Sequence, residues 1–118
     1  MRTKVGSIVR PRYKGVAEWQ VDKISEVLPP IEYADPVQGD VKYAPKIILL
    51  HNSQGDKVFW FAYWISTSKT KGNLEWGQRP PMVEENVLLK LLSQAIKQGF
   101  FTNDFLRDLN HELQSALK

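Results

Sequence analysis

The sequence predicts an α+β fold, in which a small curved antiparallel sheet spans about residues 4 to 78 and a two-helix hairpin spans 82 to 117. Three observations predict it. The front of the chain alternates apolar and polar side chains with the period of a half-buried strand, as in Trp19-Gln20-Val21-Asp22. The middle places five aromatics in the six positions Phe59 to Trp64, between turn-forming residues. The back third switches to a helical period, with Val83, Val87, Leu88, Leu91, Leu92, Ala95 and Ile96 on one broad apolar face.

Each element has its own signal. Val5 to Pro11 reads as a strand entered through Gly6 and closed by a proline that cannot donate to a ladder, and Tyr13-Lys14-Gly15 as the turn after it. From Ala17 to Leu28 the alternation slips once, between Val21 and Ile24, which predicts a β-bulge or bend. Leu28 to Pro45 holds four prolines, one glycine and three acids and reads as a long extended loop. Lys46 to His51 is then a short apolar strand, Asn52 to Asp56 a turn with Gly55 at positive φ, and Lys57 to Ser66 the return strand of a hairpin. In that return strand Val58, Trp60, Ala62 and Trp64 share one face and Phe59, Phe61, Tyr63 and Ile65 the other, so both faces need cover. Pro80-Pro81 leads into the first helix, whose first turn holds Glu84 and Glu85, and Gly99 stops it. Thr102 caps the second, with Phe101 placed to staple onto Leu106 and with Phe105, Leu106, Leu109, Leu113, Ala116 and Leu117 on one face.

At 118 residues the chain is a single domain, 1 to 118, with 42% hydrophobic and 25% charged residues, which excludes wholesale disorder and fibrous repeats. It contains no cysteine, which removes disulfides, thiolate nucleophiles and the usual structural zinc sites, and fits a reducing compartment. No signal peptide is legible, and the apolar stretch Val58 to Ile65 falls far short of the roughly 20 residues of a spanning helix, so a soluble, cytoplasmic protein with no membrane partner is expected. The net charge is +3, but it is unevenly placed. Residues 1 to 23 carry +4, residues 24 to 45 carry −3, and residues 66 to 81 carry +2. A basic patch exists only if the first and third of these meet in space.

The opening Lys4 to Val27, a glycine-entered strand, a basic loop and a tryptophan-bearing strand, resembles the start of SH3-like or Tudor-type small β-barrels. The resemblance covers about a fifth of the chain and names no specific family. It implies a barrel as the closed form of the sheet and a binding module rather than an enzyme, and it transfers no functional residue.

Catalytic signals are sparse. His51 lies with Asn52, Ser53 and Asp56 in a turn that needs such residues for conformational reasons, and His111 sits between Asn110 and Glu112 with no ligand spacing around it. The seven glycines form no phosphate loop, and Glu84 and Glu85 diverge as helix-dipole partners. No catalytic residue, metal ligand or cofactor is therefore expected, and the chain reads as non-enzymatic. Two surfaces compete as binding sites. Arg10, Arg12, Lys14, Lys69, Lys71 and Arg79 suit phosphate contact, and Trp60, Trp64 or Trp76 would stack on bases of DNA or RNA. Phe59, Phe61 and Ile65 read as core beneath the helices, whereas the tryptophans are open between core and interface. The leading expectation is a nucleic-acid-binding module; the alternative is a protein-interaction or adaptor subunit that docks a partner, or a second copy, through the tryptophan face or the apolar hairpin.

Overall fold

A computed structural model describes residues 4–9, 18–67, 75–77 and 82–117. The order is β1 (Ile8–Val9), β2 (Trp19–Glu26), β3 (Ile31–Asp35), β4 (Gly39–His51), β5 (Lys57–Ser66), β6 (Glu75–Trp76), α1 (Glu85–Lys97) and α2 (Asn103–Ala116). The strands form one antiparallel sheet in the order β1-β2-β4-β5-β6, with β3 also paired to β4. The architecture is α+β, a sheet followed by two C-terminal helices, and of the two forms expected the described strands make the open sheet.

The sheet is organised along β4. Its second half pairs with β2, from Lys46↔Glu26 to His51↔Gln20, and its first half pairs with β3 along the same edge, from Gly39↔Asp35 to Tyr43↔Ile31. β5 takes the opposite edge from Lys42↔Ser66 to His51↔Lys57. Pro45 stands where the first edge passes from β2 to β3, the position in the strand that best tolerates a missing N–H. The slip in β2 is real: the register shifts between Val21 and Lys23, leaving Asp22 as the extra residue.

The segment from Leu28 to Pro45, expected as an extended loop, contains the β3–β4 hairpin instead. Its prolines mark boundaries rather than breaks: Pro29-Pro30 precede β3, Pro36 begins the turn, and Pro45 lies at the change of partner. The Asp35 carboxylate closes the turn by accepting the Val37 and Gln38 amides, each at 2.8 Å, and Gly39 supplies a φ of 77°. Those two amides, Gln38 foremost, hold the Asp35 carboxyl below its usual value.

Each face of the sheet carries a core. On one, Val27, Ile47 and Leu49 pack with Leu91, Ala95 and Phe100 of α1 and the segment after it. On the other, Trp19, Val21, Ile48, Leu50 and Ala62 cluster, with Trp60 and Val58 partly buried against them. α1 ends in a Schellman turn, with Gly99 N–H donating to Ile96 and Phe100 N–H to Ala95, and Gly99 at a φ of 77°. Thr102 caps α2 through its hydroxyl, which accepts the Phe105 amide at 3.2 Å.

The two helices differ in what they bury. α1 places Leu91 and Ala95 in the core, whereas α2 has no fully buried residue: Leu106 and Leu109 are half-buried, and Phe105 stacks on Phe101.

Two outcomes follow from these contacts. Leu91→Ala should cost about 2–5 kcal/mol in denaturant unfolding because it opens a core cavity, whereas Leu113→Ala on α2, already half in water, should cost under about 1 kcal/mol. Equal losses would mean that α2 is packed. The Asp35 carboxyl should titrate by NMR below 3.8. Because its folded value is depressed, the turn it closes keeps its full stability above the unfolded value and loses it as pH falls through the folded one, seen as faster exchange of the Val37 and Gln38 amides. A midpoint at or above the ordinary value would show that the carboxylate does not hold the turn.

Candidate functional site

The aromatic strand β5 is where the sequence concentrates its binding signals, and its two faces meet different fates. Trp64 is only 5% exposed, and the Lys46 ammonium lies 3.9 Å from the centroid of its ring. Lys46 is itself buried and pairs with Glu26 at 2.5 Å, across the β2–β4 register that brings the two residues opposite each other. The Trp64 indole is thus an interior wall, and its ring is not presented to a ligand. Trp60, on the same face, is partly buried against the second core. Trp76 is a β6 position paired with Trp64. Arg10, Arg12, Lys14, Lys69, Lys71 and Arg79 lie outside the described residues.

Phe59 and Phe61, expected as core, are 38% and 56% exposed. The cause is the seat of α1. The buried Ser25 hydroxyl donates to the Leu91 carbonyl at 2.6 Å, and the Gln94 side-chain oxygen accepts the Glu26 amide at 3.2 Å. Lys23 adds a contact at 3.5 Å to the Gly99 carbonyl, where a cation complements the helix C-terminus. These bonds seat α1 over β2 and β4, so the neighbouring face of β5 lies outside its cover. Helix geometry then turns Leu88, Leu92, Ile96 and Leu89 toward β5 or toward solvent above it. The resulting cleft encloses about 260 Å³ between Phe61, Pro45 and Ile47 on the sheet and Val83, Leu88 and Leu91 at the helix. At one end Phe101 lies against Phe59, with ring centroids 5.2 Å apart, and stacks on Phe105 at 4.8 Å.

Val83 also borders a wider groove of about 900 Å³, lined by Ile31, Tyr33, Tyr43, Tyr63, Ile65 and Met82 among others. The Tyr43 hydroxyl donates to the Met82 carbonyl at 3.0 Å and lies 3.2 Å from the Met82 amide, which ties the sheet to the entry of α1. Burial pushes the Tyr43 phenol above its ordinary value, against that hydrogen bond. Tyr63 is tilted on Tyr43 with centroids 5.0 Å apart and packs so closely on Gly77 that a Cβ there would overlap its ring. Groove and cleft form one largely apolar surface alongside α1.

The catalytic candidates have structural settings. Asn52 knits the β4–β5 turn by accepting the Gln54 and Asp56 amides, each at 2.9 Å, and by donating to the Asp56 carboxylate. His51 is half-exposed, with Nδ1 3.8 Å from the Asp22 carboxylate. Among the described residues no three His, Cys, Asp or Glu side chains group as metal ligands, and no helix is long and apolar enough to cross a membrane. No family model, no curated protein and no solved structure matches the chain.

The residues that shape this surface carry weak sequence signals. Ser25 and Gln94 look like ordinary surface polar residues, and only their contact across 69 positions gives them a role. The buried pair makes a direct prediction: Glu26→Ala should cost about 2–4 kcal/mol, because it strands a buried ammonium, while Lys46→Met, which removes the charge and keeps the bulk, should cost under about 1 kcal/mol. Urea unfolding of both variants reads the difference, and equal costs would show that Lys46 is not held as a buried ion.

Proposed function

We propose that the chain is a non-enzymatic protein-interaction module whose recognition surface is the apolar cleft between α1 and β5, continued by the uncovered face of α2. One observation carries the reading: Phe61 and Leu88 line one cleft while both are substantially exposed, and Phe59, Leu89 and Ile96 are exposed as well, in a molecule whose α2 has no fully buried residue. Soluble monomers rarely keep large contiguous apolar surface, and where it persists it marks an interface. Phenylalanine is enriched at interface centres, and lysine, aspartate and glutamate are depleted there. Nucleic-acid stacking would draw on Trp60 or Trp76, since the Trp64 ring is enclosed beneath Lys46.

Fluorescence of bis-ANS at high protein dilution tests the cleft. The wild-type chain should bind the dye, and Phe61→Glu should lose most of that signal while its stability stays within about 1 kcal/mol, because the side chain is already half in water. Anisotropy of a labelled single-stranded oligonucleotide provides the opposing arm. Dye binding unaffected by Phe61→Glu would overturn the interaction reading. Oligonucleotide binding with a log–log salt slope near −0.7 per contacted phosphate would instead support the basic residues as the site.

A further inference from the structure

We infer that the outer edge of β3 receives an extended segment of another protein, one that alternates apolar and basic residues, as an added strand of the sheet. This surface lies beyond the cleft beside α1 and does not depend on it. Backbone chemistry sets the class of partner. Alternate N–H and C=O groups of a strand point to either side, so a strand paired along one edge presents the other half of them to any extended chain that can match them. Among the described residues β3 bonds only to β4. Glu32, Tyr33 and Ala34, in the middle of the strand, are exposed.

Edges that must stay unpaired are usually interrupted by a proline, a bulge or a lysine. β3 has none of these: its five residues pair with β4 one to one, from Ile31↔Tyr43 to Asp35↔Gly39. The strand is also held in shape before any partner arrives. Ile31 packs against the first core, and the Asp35 carboxylate closes the turn at the other end. A template that is already ordered loses little further entropy on binding. Pro30 and Pro36 flank it, so the edge runs about 17 Å and matches a short extended segment.

The side chains narrow the choice of segment. Ile31 and Tyr33 share the face that borders the tyrosine-lined groove, and Glu32 and Ala34 lie on the other. A strand laid beside β3 sets alternate residues next to each pair, so its apolar residues extend the groove wall and its basic residues come beside Glu32. The surrounding charge agrees. From Ile31 to Pro45 the hairpin carries Glu32, Asp35 and Asp40 against Lys42 alone, and Glu84 lines the groove beyond. The same acids disfavour a second copy of β3 as the partner, because two such edges would bring together two carboxylates from each strand with no base between them.

The probe is a labelled peptide, Thr-Val-Lys-Val-Lys-Val-Thr, compared with the same peptide N-methylated along its backbone and with Thr-Val-Glu-Val-Glu-Val-Thr. In heteronuclear NMR of the full chain, the basic peptide should shift the amides of Ile31 to Asp35. At ten times its dissociation constant it should slow exchange of the outward-pointing ones about tenfold. N-methylation removes the strand donors and should weaken binding at least about tenfold. Glu32→Lys should weaken the basic peptide about threefold or more and tighten the acidic one. Equal affinity for the N-methylated peptide would overturn the added strand, and equal affinity for the acidic one would overturn the basic partner. Absence of any shift at millimolar peptide would overturn both. Shifts confined to Phe61 and Leu88 would move the peptide to the cleft, which overturns the edge and keeps the interaction reading. Light scattering at twice the 13.6 kDa chain mass, with the β3 amides already protected without peptide, would assign the edge to a second copy instead.

Discussion

Strand β4 has to satisfy two edges and two faces at once, and the rest of the molecule is arranged by how it does so. Its 13 residues hydrogen-bond to β5 along one edge and to β2 and β3 in succession along the other, while its side chains enter both cores. A strand buried on both sides reads as a nearly continuous apolar run, which is what Ile47 to Leu50 supplies. Lys46 is the exception, and it is accommodated by Glu26 opposite and by the Trp64 ring. Burial of a cation between a carboxylate and an indole adds little net stability against an apolar substitute, but it fixes which residues of β2 and β5 must lie beside β4.

That arrangement decides which aromatics reach solvent. With Trp64 committed to Lys46 and Trp60 leaning on the second core, the aromatic density of β5 is exposed through its phenylalanines. The same face would be covered if α1 sat over β5. Hydrogen bonds from Ser25 and to Gln94 draw the helix to β2 instead. Two polar contacts, one buried and one partly buried, thus leave at the surface what would otherwise be core.

Elements with short-range causes were legible in the sequence. The alternation of β2, its bulge at Asp22, the hairpin turn at Gly55, the glycine stop at Gly99 and the Thr102 cap all depend on residues within a few positions of one another, and each lies where its signal places it. The β3–β4 hairpin was hidden because prolines dominate its composition, although their backbone consequences fall outside the paired residues. The seat of α1 could not be read, since it depends on Ser25 meeting a carbonyl 66 positions away. Nor does polarity reveal that Lys46 is interior, because the carboxylate that compensates it lies on another strand. For the candidate site, the sequence singled out β5, but which of its two faces reaches solvent is a tertiary property.

The handover at Ala44 and Pro45 has a mechanical meaning. Along one edge of β4 the ladder is interrupted there, so β2 and β3 are joined only through β4 and the short connection from Val27 to Pro30. β3 itself contributes no buried side chain. The Ile31 to Asp35 strand is therefore held to the sheet by its pairing with β4 and, at Ile31, by packing against the first core. The Tyr43 hydroxyl, bonded to the backbone of Met82, ties β4 at that end to the entry of α1. Ile31 and Tyr33 of that strand line the tyrosine groove, whereas the phenylalanine cleft takes none of its walls from it, so the two halves of the apolar surface rest on different strands.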